Sequence, residues 1–228
     1  MIRTLIGGLA VALATSVVSA STVTVEFGAG SRHNPLPGAP GAIQSNRGGV
    51  FNMTGALGSF TTFCIEYNET IAEGSYHFSV DTGAIAGGLG GGNPDPIGKE
   101  TAELFRRWTA GLLVPVMGQT QRDFNNALQD AFWFLEEELG DVDFTAATAS
   151  LGNSNYDFMS ATAQSLIDSV WGTTAAVGRV RALNLYSIAT GANRQSVLYI
   201  EAIPLPGAGA LAFAGLFGIA AVRRRRMV

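Results

Sequence analysis

The chain has 228 residues, of which 47% are hydrophobic and only 14% charged, and 29 are glycine. Such a composition is typical of an extracellular β-rich domain rather than a cytosolic enzyme. All 18 acidic residues lie between Glu26 and Glu201. Five of the 14 basic residues lie at the two ends of the chain, so the rest has nine basic against 18 acidic residues. This negative balance repels phosphate backbones, and we expect no nucleic-acid partner.

Residues 1–20 have the three parts of a signal peptide. Arg3 supplies the positive start, residues 5–18 are apolar, and a small-residue cleavage site ends at Ala20. Signal peptidase is therefore an expected partner, and the mature chain would begin at Ser21. An uncleaved anchor helix is the alternative, but the apolar run is short for a membrane span.

Strand patterns dominate the first part of the exported region. Apolar residues alternate with polar ones over residues 22–27, and further strands are predicted at 49–53, 60–67 and 75–80. Prolines and glycines predict a loop over residues 28–49 and a flexible linker over 83–96.

Helical spacing of apolar residues follows, over residues 97–113, 120–139 and 156–170. The second helix has the clearest ends, with a capping box at Thr120 and Asp123 and a stop at Gly140. Strands return at 179–188 and 195–202. The order predicts an α+β fold. We expect one domain, residues 21–202, built as an antiparallel β-sandwich or barrel with a helical insertion at about residues 96–171.

The chain ends in a three-part tail, residues 203–228. A proline motif, Pro204-Leu205-Pro206, precedes sixteen uncharged residues, 207–222. A basic cluster then follows, consisting of Arg223, Arg224, Arg225 and Arg226. Sixteen helical residues rise roughly 24 Å, which spans a bilayer core when arginines snorkel. The positive-inside rule keeps these arginines cytoplasmic and places the preceding domain on the outer side of the inner membrane.

This tail resembles the PEP-CTERM sorting tail in its Val-Pro-Leu-Pro-Ala variant, with Ile203 and Gly207 at the first and last positions. The resemblance implies recognition by an exosortase, a membrane cysteine protease that processes the tail near the prolines. It also implies a Gram-negative, exopolysaccharide-producing host and delivery to the cell surface or the extracellular space. An ordinary tail anchor is the alternative.

The exported chain contains a single cysteine, Cys64, so an intramolecular disulfide is impossible. The residue falls on the strand predicted over 60–67. It could be a buried thiol that packs as a small hydrophobe, or it could form an intermolecular disulfide.

Two short motifs favour a third role for this cysteine. One is Phe63-Cys64-Ile65-Glu66, and the other, about 65 residues later on a predicted helix, is Leu128-Gln129-Asp130-Ala131-Phe132-Trp133. They resemble the Cys and Gln motifs of bacterial thioester domains, which attach surface proteins covalently to host or matrix targets. Leu128 stands where that family commonly has threonine.

The resemblance implies that the Cys64 sulfur attacks the Gln129 amide carbon and displaces ammonia. A fold that fixes the two groups in contact would provide the necessary effective molarity. The resulting thioester would be shielded by Phe63, Phe132 and Trp133. An amine or hydroxyl on a target would then capture the acyl group. Glu66 and His77 are candidates for proton transfer.

The sequence is also compatible with two other functions. The exported part could be a non-catalytic structural protein of an exopolysaccharide or biofilm layer, with an inert buried Cys64 and a partly exposed Gln129. It could also be an exported hydrolase, although no nucleophile-elbow motif is present. We predict no catalytic residue of an enzyme, no cofactor and no metal site, and we interpret the acidic run 136–138 as a solvated helix face.

Overall fold

The computed structural model describes residues 21–28, 48–85, 92, 94–139, 154–157 and 159–203. The predicted signal peptide, the proline motif from Pro204 onward, the apolar span 207–222 and the arginine cluster lie outside these residues. Within the described ranges, no helix is both long and apolar enough to cross a membrane.

A curled antiparallel sheet of six strands forms one half of the fold, in the order β3-β2-β1-β4-β7-β8. A two-stranded hairpin, β5-β6, lies beside it. The strands are β1 (Thr22–Phe27), β2 (Phe51–Gly55), β3 (Phe60–Thr62), β4 (Gly74–Asp81), β5 (Gly83–Ala84), β6 (Asp95–Pro96), β7 (Val180–Ser187) and β8 (Asn193–Ile200). The α+β class is confirmed, and the sheet has the form of a half-barrel rather than of two stacked layers.

The alternation in the sequence explains how the strands orient. Val23 and Val25 of β1 are fully buried, whereas Thr24 between them is only partly buried. Val25 lies opposite Met53 of β2, which is also fully buried. Successive side chains of a strand point to opposite faces, so one face of the sheet carries the apolar residues into the core.

The two edges of the curled sheet come together after β3. The carbonyl of Phe63 accepts a hydrogen bond from the N–H of Leu198 in β8 (3.1 Å), and the N–H of Ile65 donates to Ser196 (3.0 Å). Cys64 forms an isolated bridge with Val197 between these bonds. The strand predicted over residues 60–67 is therefore wrong in its extent, because regular pairing with β2 ends at Thr62. Cys64 belongs to the segment that joins the two edges.

The described helices lie between β6 and β7. They are α1 (Lys99–Thr109), α2 (Gln121–Leu135), α3 (Ser154–Asp157) and α4 (Ala161–Asp168). The third predicted helix is thus two helices, and Ser160 caps α4 by accepting from the N–H of Ala163 (3.2 Å). α2 packs against α4 and has eleven buried residues out of fifteen.

The start of α2 is as predicted, but its end is not. The Thr120 hydroxyl accepts the N–H of Asp123 at 3.1 Å, which confirms the cap. The helix stops at Leu135, five residues before the predicted glycine stop. Glu137 takes the left-handed conformation (φ 62°), and Glu138 donates its N–H to the carbonyl of Trp133 (2.9 Å). With the bond from the Glu137 N–H to the Phe134 carbonyl (3.1 Å), the Glu138 bond forms a Schellman cap in which a glutamate occupies the usual glycine position.

We expect Thr120→Ala to lower the free energy of unfolding by about 1 kcal/mol, because the first turn of α2 loses its side-chain acceptor. Urea unfolding of the full chain measures this change. Thr120→Asn keeps an acceptor and should retain most of the stability. Equal losses in the two variants would show that the cap is not the cause.

Candidate functional site

The candidate site is built on the backbone of Cys64. Its neighbours Phe63 and Ile65 direct their carbonyl and N–H groups toward β8. In an extended segment, the polar groups of alternate residues point to opposite sides. The N–H and carbonyl of Cys64 therefore point away from β8, toward the helices.

The side chain of Gln129 in α2 satisfies both of these groups. Its Oε1 accepts the Cys64 N–H at 3.1 Å, and its Nε2 donates to the Cys64 carbonyl at 3.0 Å. The carboxamide thus pairs with Cys64 as the next strand of a sheet would. Cys64 is 1% exposed and Gln129 is 0% exposed. The structure brings the two predicted residues together, and the partial exposure expected for Gln129 in the alternative with an inert Cys64 is wrong.

A third hydrogen bond fixes the same oxygen. Gln129 Oε1 also accepts the N–H of Gly49 at 2.9 Å, so two backbone donors converge on it. Gly49 has a φ of 117°, a conformation that favours glycine. At Gly48, an added Cβ would lie 2.4 Å from the Trp133 ring and 2.7 Å from Gln129 Cγ. Gly48 therefore lets the chain pass close to α2.

Gly48 and Gly49 lie at the end of the loop predicted over residues 28–49, and their part in the site was not predicted. A glycine pair beside an expected strand was the only signal in the sequence, and it did not indicate which helix would approach.

The three aromatic residues expected to shield the site, Phe63, Phe132 and Trp133, are all buried in the core. Phe63 and Phe132 have ring centroids 5.1 Å apart, and both are fully buried. Trp133 is 1% exposed and contacts Tyr67 edge-on at 5.0 Å. Trp108 packs against Phe63 at 4.8 Å. Such a wall excludes water from the carboxamide and strengthens its hydrogen bonds.

Electrostatics keep protons on the acidic groups near the site. Burial raises the pKa of the Cys64 thiol well above its ordinary value, and the charge of Glu66 raises it further. Burial also raises the pKa of Glu66 to about 9, and the charges of Glu69 and Glu138 contribute to the rise. Neither Glu66 oxygen meets a donor among the described residues. With a pKa of about 9, the Glu66 carboxyl keeps its proton at neutral pH.

His77 is the other proton-transfer candidate. It lies in β4 opposite Tyr186 of β7, and its Nδ1 has no hydrogen-bond partner in the described part of the chain. No contact of His77 with Cys64 or Gln129 is seen among the described residues, whereas Glu66 lies two residues from Cys64 and its charge acts on the pKa of the Cys64 thiol.

The acidic run 136–138 is not a solvated face, and that interpretation was wrong. Glu136 is 4% exposed and Glu138 is 0% exposed. Glu136 Oε1 accepts the N–H of Gly98 at 3.0 Å, and Glu138 Oε2 accepts the N–H of Tyr67 at 2.7 Å. These carboxyls pair with backbone donors that would otherwise be buried without a partner. Burial raises the pKa of Glu136 to about 8.

Comparison of the chain with protein-family models, with curated proteins and with solved structures found no match. A buried thiol-bearing residue lies against a carboxamide whose oxygen holds two backbone donors. Such a pair of donors stabilises negative charge on that oxygen when a nucleophile adds to the amide carbon.

We expect Gly48→Ala to destabilise the protein by roughly 1–3 kcal/mol, since the new methyl group overlaps Trp133 and Gln129. Thermal or urea unfolding of the full chain measures the loss. Trp133→Phe removes the two ring atoms nearest the methyl group. The double variant should therefore lose less stability than the sum of the losses in the two single variants. Strict additivity would contradict the contact.

The buried Glu66 predicts that stability falls as pH rises. Its folded pKa is about 9 and its ordinary value is 4.5, so between these values the unfolded chain releases a proton that the folded chain keeps. The free energy of unfolding then drops with rising pH, by up to about 1.4 kcal/mol per unit for one such group.

Urea unfolding at pH 5, 6, 7 and 8 measures this slope. Glu66→Gln should make it shallower, whereas Glu26→Gln, at an exposed position in β1, should leave it unchanged. Identical slopes for the wild-type chain and Glu66→Gln would contradict the assignment.

Proposed function

We propose that the exported domain forms an internal thioester between Cys64 and Gln129 and uses it to attach covalently to an amine- or hydroxyl-bearing target. The observation that carries the proposal is the buried contact in which the Gln129 carboxamide bonds to both polar backbone groups of Cys64. This contact places the amide carbon beside the residue that bears the only thiol of the chain. The domain would act as an adhesion module at the cell surface or in the extracellular matrix.

Formation of the bond balances as an acyl transfer. The Cys64 Sγ adds to Gln129 Cδ, and the negative charge develops on Oε1, where the N–H groups of Gly49 and Cys64 lie. The C–Nε2 bond then breaks, and the thiol proton leaves with the nitrogen as ammonia. Glu66, protonated and next to the site, can give its proton to the leaving nitrogen and take the proton of the thiol.

The product keeps the same carbonyl oxygen and the same two donors. They polarise the thioester carbon toward attack by a target nucleophile. The target then becomes joined to Gln129 as an amide or an ester, and Cys64 regains its proton. Each molecule reacts once, so the domain is not an enzyme that turns over. The chain has a single lysine, Lys99, which limits reaction between copies.

We also propose that the protein is exported and sorted by an exosortase through its C-terminal tail. The order of elements supports this reading. β1 begins at Thr22, one residue after the proposed mature N-terminus, and β8 ends at Ile200, before the proline motif. Cleavage at either end would remove no strand of the sheet. The inner membrane would hold the tail until processing.

We expect the intact mass of the protein purified from an exporting host to be lower by one ammonia than the mass calculated from its sequence. The deficit should disappear in Cys64→Ala and in Gln129→Ala, after correction for each substitution. Gln119→Ala, at a residue between α1 and α2, serves as the matched control and should keep it. Methylamine should react with the thioester, add the mass of one methylamine to the ammonia-deficient protein and free the Cys64 thiol.

A full unmodified mass, together with a thiol that alkylates freely in denaturant, would reject the thioester. The protein would then be a non-catalytic component of the extracellular layer with an inert Cys64. An inert Cys64 would not affect the proposal that an exosortase sorts the protein.

The sorting proposal has its own test. Expression with and without an exosortase, followed by mass mapping of the C-terminus, should show loss of residues beyond the proline motif only when the protease is present. Replacement of Pro204 and Pro206 by alanine should block that loss. An intact tail on mature protein in the competent host would contradict it.

A further inference from the structure

Large apolar side chains are exposed at one loop and at the C-terminal end of the described chain. They are Leu112 (71%), Val114 (67%), Val116 (64%), Met117 (103%) and Ile203 (64%). In the described ranges, only Ile188 (49%) joins them in this class. A cluster of exposed apolar residues marks a site that binds another protein or a membrane. We call residues 112–117 the apolar loop.

The apolar loop and the C-terminal end of β8 lie at the same end of the domain. Thr109 and Ala110, at the end of α1, line one cleft together with Ile200, the last residue of β8. The loop starts two residues after Ala110, and Ile203 comes three residues after Ile200. Ile188 lies at the opposite end of β7, roughly 25 Å away along the strand.

Backbone and side-chain bonds hold this loop in place. The N–H of Leu112 donates to the carbonyl of Arg107 (2.9 Å), and the N–H of Gln119 donates to Val116 (3.0 Å). Gln119 Nε2 also donates to the Thr162 hydroxyl in α4 (3.0 Å). The apolar side chains are therefore presented to solvent by an anchored loop, with no described element covering them.

We propose that the apolar loop inserts into the outer leaflet of the bilayer that holds the C-terminal tail. This inference rests on the proposed insertion of the tail. The apolar span 207–222 starts four residues after Ile203, which limits the separation to roughly 14 Å even for extended chain. The domain then stands on the membrane with this end down, and the loop lies within reach of the hydrocarbon.

Apolar side chains make this contact, and charge has a secondary part in it. Arg106 and Arg107, just before the loop, both form ion pairs with Glu103 (2.9 and 2.8 Å). Arg181, near the start of β7, pairs with Glu201 (3.1 Å). The exposed Arg179 at this end donates to the Glu201 carbonyl, so four arginines face two carboxylates there. Anionic headgroups should therefore add to the contact, but the exposed apolar side chains need none, and insertion into a neutral bilayer should tolerate salt.

Fluorescence quenching in vesicles tests the proposal on the full chain. Cys64 is buried, so labelling of the folded protein with a nitrobenzoxadiazole maleimide reaches only an introduced cysteine. Three variants, Met117→Cys, Ile188→Cys and Leu216→Cys, are reconstituted into phosphatidylcholine vesicles that contain nitroxide-labelled lipid. We expect quenching at position 117 to be several-fold larger than at position 188 and unchanged by added salt.

Each other result is decisive. Strong quenching at 216 with equal, weak quenching at 117 and 188 overturns the loop proposal and leaves tail insertion standing. Weak quenching at all three positions overturns tail insertion and the loop proposal together. In a third outcome, the dye at position 117 is shielded from water but not quenched by the labelled lipid, and unlabelled Met117→Cys chains cross-link to each other. A second copy of the chain is then the occupant. This last result also overturns membrane contact.

Discussion

The pairing of the Gln129 carboxamide with the Cys64 backbone is the interaction on which the rest of the structure depends. Cys64 lies in the segment that connects the two edges of the curled sheet, and Gln129 lies in the central, mostly buried helix. The three hydrogen bonds of the carboxamide therefore join the sheet to the helical layer at the point where the sheet nearly closes. The close approach at Gly48 and the aromatic wall follow from this contact.

The same contact has a structural and a chemical consequence. Removal of the carboxamide would leave two N–H groups and one carbonyl buried, at a cost of about 1–3 kcal/mol for each unsatisfied group. Conversion to a thioester would keep the two bonds to the oxygen and lose only the bond from Nε2. The site is thus organised around the carbonyl oxygen, which is the atom that carries charge during acyl transfer.

Local patterns predicted the parts of the fold that local physics determines. Alternation located β1 to the residue, and the capping box located the start of α2, because neighbouring residues decide both features. The end of α2 could not be read in this way. Glu137 adopts a left-handed conformation there, and the buried carboxyls of Glu136 and Glu138 are held by donors from Gly98 and Tyr67, which are remote in sequence.

In the candidate site, too, local motifs predicted some of the residues and not others. Two short motifs pointed to Cys64 and Gln129, and the structure places these residues in contact. The second backbone donor comes from Gly49, which is 80 residues from Gln129 in sequence. No periodic pattern in the sequence predicts that these two residues meet. The raised pKa of Glu66 is likewise a product of tertiary structure, because it comes from burial and from charges that include the remote Glu138.

A crystal structure at atomic resolution, of protein purified from an exporting host, tests the central claim most directly. We expect continuous density between the Cys64 Sγ and Gln129 Cδ, no density for Nε2, and a carbonyl oxygen still bonded to the N–H groups of Cys64 and Gly49. An intact carboxamide whose Nε2 still donates to the Cys64 carbonyl, beside a free thiol, would contradict the account.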